Sequence, residues 1–179
     1  MLFRSNELAS ARPTAVNLSW AVNKVRKEVN FEAALAKAIE IDEADQRASQ
    51  KMSESGADLL ASLISNKMNL LTHCNTGSLV TTGIGTALGV IKVLAKRNLL
   101  NQVYADESRP LLQGARLTAW ELQNSDIAYR ILPDSAATFA IMNDKVDAAL
   151  VGADRIAVNG DTANKVGTLM VALACKRVG

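Results

Sequence analysis

Leu70-Leu71-Thr72-His73-Cys74-Asn75-Thr76-Gly77 is an apolar run that stops at a polar, reactive cluster, and Ala148-Ala149-Leu150-Val151-Gly152-Ala153-Asp154-Arg155 repeats that pattern later in the chain. Short apolar runs bounded by turn residues fit strands buried on both faces, as in a parallel sheet. Open parallel sheets bind ligands beyond the carboxyl ends of their strands. The two stretches therefore bring a thiol, Cys74, and a carboxylate, Asp154, to one edge, where they can share a pocket.

Working outward, the chain after residue 57 alternates short apolar runs with longer amphipathic ones. The pattern predicts helices over 58–65, 78–96, 115–123, 135–142 and 162–176, and strands over 69–73, 102–105, 127–131 and 147–151. Four strands separated by helices imply right-handed crossovers and a sheet covered on both faces. Before residue 56 the reading is helical: Leu18, Val22, Val25 and Val29 recur at helical spacing, Leu35, Ala38 and Ile39 mark a second stripe, and Asn30 divides the two. The acidic run Glu40-Ile41-Asp42-Glu43-Ala44-Asp45 reads as a solvated helix face.

The expected fold class is α/β, a Rossmann-like parallel sheet with flanking helices over residues 57–179, preceded by a helical segment over residues 1–56. A helical pair alone does not bury its apolar stripe, and the last helix stops where another strand is expected, so the pattern predicts a chain incomplete at both ends.

Composition narrows the function. A chain of 179 residues with 49% hydrophobic content holds a full core, and its net charge of only +2 comes without clustered basic and aromatic residues, which argues against nucleic acid. Cys74 and Cys175 form no Cys-x-x-Cys spacing and His73 is the only histidine, so neither a disulfide scaffold nor a metal site is expected. No signal peptide or membrane-spanning run is visible, which makes the cytoplasm the expected compartment.

Among the candidate residues, Cys74 is expected just ahead of a helix starting near Ser78, whose first amides favour a bound anion and a thiolate. Gly77, Gly83, Gly85 and Gly89 do not make a dinucleotide fingerprint, because the third glycine of that motif falls at Leu88. They read instead as small residues that let a helix pack closely. Asp154, at a strand end, is expected to be partly desolvated and so able to carry a proton near neutral pH. Asn164 and Lys165 fall in the first turn of the expected last helix, where a cation opposes the macrodipole and is explained by a bound anion. Arg109 and Gln113 lie in the loop after the second strand, and Arg12 offers a planar fork suited to phosphate. His73 adjoins Cys74, but adjacent strand residues face opposite sides, which argues against a thiol and base pair.

Four ordered motifs, SARPTAVNLSWAV, LTHCNTGSLVTTGIGTALGVI, ESRPLLQGARLTAWEL and VGADRIAVNGDTANKVGT, resemble the methylthioribose-1-phosphate isomerase family across nearly the whole chain. That family shares its fold with the regulatory subunits of translation initiation factor 2B and with ribose-1,5-bisphosphate isomerase. The resemblance implies an aldose-ketose isomerase of methionine salvage acting on a small phosphorylated sugar as a cytoplasmic homodimer, with no metal, nucleotide or other cofactor. It assigns Cys74 and Asp154 as the catalytic pair, with Arg12 on the phosphate and Gln113, Asn164 and Lys165 on the sugar and its phosphate. Ribose-1,5-bisphosphate isomerase and a non-catalytic regulatory-type fragment are the alternatives. Family members carry further sequence at both ends, including a second phosphate-binding loop, so weak or absent activity is expected of these 179 residues alone.

Overall fold

The computed structural model describes residues 2–12 and 16–179. Three helices lead the chain: α1 (Leu2–Ser10), α2 (Val16–Val25) and α3 (Phe31–Leu63). Asn30 does divide α2 from α3, because its side chain accepts a hydrogen bond from the Ala33 amide at 2.8 Å and caps the long helix. Helix α3 runs unbroken through Gly56 and past the expected helix start at Asp58. Its buried positions, Ser49, Ser53, Ala57 and Leu60, form one stripe along the helix.

After α3 the chain alternates as expected: β1 (Met68–His73), α4 (Ala87–Lys96), β2 (Leu100–Asp106), a π-turn (Gly114–Thr118) continuing into α5 (Ala119–Asn124), β3 (Tyr129–Leu132), α6 (Asp134–Met142) and β4 (Ala148–Val151). The four strands form one parallel sheet in the order β3-β2-β1-β4. Alternation along β1 sends Leu70 into a core with Leu88, Ile91, Leu94, Val103 and Leu122, and sends Leu71 into a second core with Ala137, Ile141, Val171 and Ala174. Both faces of the sheet are thus covered, the first by α3, α4 and α5 and the second by α6 and α7 (Thr168–Val178). The outer face of α7 leaves Leu169, Met170 and Leu173 exposed. No helix among the described residues is long and apolar enough to cross a membrane.

Two expected helices begin later than their sequence suggests. Residues 77–86 form an irregular loop, and α4 starts only at Ala87. Glycines and β-branched threonines there are poor helix formers, and side-chain oxygens occupy the backbone amides: the Glu121 carboxylate accepts from Ser78, and Asp45 from Thr82 at 2.8 Å. Asp45, read as solvated, is therefore a loop anchor. The last helix starts at Thr168, because residues 155–163 fold into a hairpin of β5 (Arg155–Ile156) and β6 (Thr162–Ala163), turning at Gly160 with φ +88°.

The small residues do allow close packing. A Cβ on Gly89 would lie 2.2 Å from Ser53 Oγ, and one on Gly56 would lie 2.7 Å from Val90, so α3 and α4 meet at these glycines. Gly85 is more constrained: its φ is +108° and an added Cβ would stand 2.6 Å from the Gly77 Cα and 2.8 Å from the Thr76 carbonyl oxygen. Replacing Gly85 by alanine is expected to lower stability by about 2 kcal/mol or more, read as a fall in melting temperature. Gly160→Ala, with positive φ but nothing within 4 Å, should cost less. Equal losses would show that the close approach at Gly85 contributes nothing.

Candidate active site at the sheet edge

Cys74 follows β1 directly and adopts a left-handed φ of +67°, which breaks strand alternation and turns the chain across the sheet edge. Two hydroxyls hold this conformation. The Cys74 amide donates to Ser108 Oγ at 2.7 Å, and Thr118 Oγ donates to the Cys74 carbonyl at 2.6 Å. Ser108 Oγ in turn donates to the Asp106 carbonyl at 3.1 Å, so the loops after β1 and β2 are tied together at the thiol.

The residues after Cys74 are organised by one buried carboxylate. Glu121, 2% exposed, accepts from Asn75 Nδ2 at 3.0 Å, from the Ser78 amide at 2.8 Å, from Ser78 Oγ at 2.7 Å and from Lys92 Nζ at 2.8 Å. Burial opposes its charge, but Lys92, Asn75 and Ser78 outweigh burial and bring its pKa down to about 2. Gly77 is required beneath it, since a Cβ there would fall 2.2 Å from a carboxylate oxygen.

This arrangement corrects the expected thiolate. No helix begins at Ser78, and Ser78's amide is already taken by Glu121. Burial pushes the Cys74 thiol above its ordinary pKa, as does the Asp154 charge, against the Asn75 backbone hydrogen bond and the charges of Lys165 and Arg12. The thiol is therefore held protonated.

The same balance of charges shows what the fold gathers. Arg12, Asp154 and Lys165 are separated in sequence from Cys74, yet the charges of all three bear on its sulfur. Arg12 follows α1 and is exposed, and residues 13–15 of its motif lie outside the described residues. Asp154 is exposed, so the desolvation expected for it falls on Cys74 instead; its amide donates to the Ala163 carbonyl at 2.9 Å at the base of the hairpin. Lys165 and Asn164 are half-buried in the segment between β6 and α7, not in a helix, and Asn164 Nδ2 donates to Thr168 Oγ at 3.0 Å. Gln113 sits just ahead of the π-turn with its Oε1 buried and without a partner among the described residues, an acceptor free to take a ligand hydroxyl.

Chemically, a neutral thiol, a carboxylate and two cations around one strand end suit an anionic substrate that exchanges protons. A cavity of about 590 Å³ lies at the start of β2, lined by Lys96, Leu100 and Asn101, and one of about 350 Å³ is lined by His73, Asp106, Arg109 and Val166. His73, Asp106 and Asp134 each bring a donor atom within 4.8 Å of one another. Hydrogen bonds already engage these groups: His73 Nδ1 with Asp106 at 2.9 Å, His73 Nε2 with the Val166 carbonyl at 2.8 Å, and Asp134 with the Ser108 and Arg109 amides at 2.7 Å each.

Sequence reading did not single out Glu121, Lys92, Ser108 or Thr118. Glu121 carried a signal: it lies three residues after Thr118 and beside Leu122, on the stripe of α5 that faces the core.

Glu121→Gln should cost about 3 kcal/mol, because a pKa of about 2 against an ordinary value near 4.3 is stabilisation of that size. A depressed folded pKa contributes fully above the unfolded value and is lost as pH falls toward about 2. Denaturant titrations between pH 5 and pH 2 should therefore show a shallower loss in the variant than in wild type, and parallel curves would contradict it.

The model of the initiation factor 2 subunit family matches residues 1–179. A methylthioribose-1-phosphate isomerase from Alkalilimnicola ehrlichii is 51% identical over 178 residues, covering 96% of this chain and 50% of that protein. The crystal structure of 5-methylthioribose 1-phosphate isomerase from Pyrococcus horikoshii superposes with a TM-score of 0.86 at 40% identity, covering 97% of this chain and 50% of that one. The translation initiation factor eIF-2B subunit delta from A. fulgidus superposes with a TM-score of 0.79 at 37% identity, covering 96% of this chain and 52% of that one. The chain thus spans about half the length of these relatives.

Proposed function

The chain belongs to the initiation factor 2 subunit family, and from that premise we propose that it carries the catalytic pair of an aldose-ketose isomerase that converts 5-methylthioribose-1-phosphate to 5-methylthioribulose-1-phosphate. The observation that carries this reading is that the charges of Lys165, Asp154 and Arg12 all bear on the half-buried Cys74 thiol. The 51% identity to an isomerase of that name supports the substrate.

The reaction moves hydrogen from C2 to C1 of a ribose whose anomeric oxygen carries phosphate, so the ring opens with phosphate in place. The bond from C1 to the ring oxygen breaks as that oxygen gains a proton, C2 loses hydrogen, C1 gains it, and the 2-hydroxyl becomes a carbonyl. The thiol that burial keeps protonated is suited to give a proton, and the exposed carboxylate of Asp154 to take one. A hydride passing directly from C2 to C1 satisfies the same balance. Arg12 and Lys165 supply cations for the phosphate, and Gln113 and Asn164 polar groups for the sugar hydroxyls. The division into a helical segment over 1–56 and a catalytic unit over 57–179 belongs to the same proposal, as do the homodimer and the cytoplasmic setting.

A second reading, a regulatory subunit without chemistry, draws on the 37% identity to the A. fulgidus subunit. The two readings part at Asp154. Asp154→Asn should lower turnover of methylthioribose-1-phosphate by about 100-fold or more while sparing its binding, measured by calorimetry. Normal turnover in the variant would remove Asp154 from the mechanism, and binding without turnover in the wild-type chain would favour the regulatory reading.

A further inference from the structure

The ring of His73 is 1% exposed and bonds the Asp106 carboxylate. It lies among Asp106 from β2, Asp134 at the start of α6, Arg109 from the loop after β2, and the backbone of residues 166 and 167. Both ring nitrogens meet oxygens: Nδ1 meets the Asp106 carboxylate at 2.9 Å and Nε2 the Val166 carbonyl at 2.8 Å. A carbonyl only accepts, so Nε2 carries a hydrogen. Burial pushes the Asp106 carboxyl up, against the hydrogen bond and charge of His73; in its ionised form that carboxylate only accepts, so Nδ1 then carries a hydrogen as well.

Val166 directly follows Asn164 and Lys165. The carbonyl held by the ring is thus one residue from the cation that acts on Cys74. Gly167, with φ +104°, lets the backbone approach, since a Cβ there would stand 2.7 Å from the ring. One ring therefore touches the loop after β6 through a hydrogen bond and joins Cys74 through the chain.

We propose that His73 is the positioning residue of this site: as a doubly protonated ring held between Asp106 and the Val166 carbonyl, it fixes the segment carrying Lys165 beside Cys74. Losing one ring proton leaves a lone pair facing either the carboxylate or the carbonyl, so the neutral ring satisfies only one of its two partners. Burial alone would lower the pKa of His73, but the hydrogen bonds to Asp106 and Val166 and the charges of Asp106 and Asp134 outweigh burial and raise it. A raised folded pKa means that the clamp is complete below the ordinary histidine value and is lost as pH rises through the folded one.

The inference rests on reading Cys74 as the working thiol, and its test needs no sugar phosphate. In a Cys175→Ser background Cys74 is the only thiol, and its alkylation by iodoacetamide is followed against pH in His73→Asn, Lys165→Met and the double variant. Both single variants should move the alkylation midpoint upward, by loss of the same cation, and the double variant no further than the larger single shift. An unchanged midpoint in folded His73→Asn, or additive shifts, overturns the proposal.

Should His73→Asn fail to fold, the wild-type chain decides. His73 is its only histidine, so nitrogen-15 NMR reads this ring without ambiguity. Two protonated ring nitrogens at pH 6, with a titration midpoint above about 6.5, are expected; a midpoint at or below about 6.5 overturns it. Failure of the isomerase reading appears separately, as absence of turnover with the alkylation result intact.

Discussion

Everything at the candidate site hangs on the burial of β1 on both faces between β2 and β4. A strand in that position has no freedom of register: a slip of one residue would exchange Leu70 and Leu71 between two cores that differ in composition. Its end is therefore placed with the accuracy of the core, and the left-handed turn at Cys74 begins from a fixed point. The sheet edge brings the loops after β1, β2 and β4 within reach of one another.

Two buried ionic groups convert that placement into a shaped site. Glu121 gathers the amide and hydroxyl of Ser78, the amide of Asn75 and the ammonium of Lys92 on one side. On the other, the His73 ring joins the Asp106 carboxylate to the Val166 carbonyl. Each has its charge answered by a partner, which is the condition under which buried charge persists. Between them the Cys74 thiol keeps its proton through burial, and the cations around it are held at the ends of loops.

Much of this was legible in the sequence, for identifiable reasons. Strands β1 and β4 announce themselves as apolar runs, and the asparagine at position 30 is a cap in fact as well as in pattern. The charges of Arg12, Asp154 and Lys165 all bear on the Cys74 thiol. What escaped was where side chains compete for the backbone. The loop over 77–86 looked like the start of a helix because its apolar residues have tolerable spacing, but the partners that hold it open, Asp45 and Glu121, are distant in sequence. The hairpin before α7 is held by local pairs, Arg155 with Ala163 and Ile156 with Thr162, and it delays the helix that the sequence places from residue 162. Desolvation was assigned to Asp154 and belongs to Cys74, because burial at a strand end depends on the neighbouring loops more than on the strand.

The most direct measurement is phosphorus-31 NMR of methylthioribose-1-phosphate incubated with the chain, beside a Cys74→Ser control shown to be folded by circular dichroism. Conversion to the ketose phosphate by the wild-type chain and none by the serine variant is the expected result. Conversion undiminished in the variant, or none by a folded wild-type chain that binds the sugar phosphate, would contradict an isomerase built on this thiol.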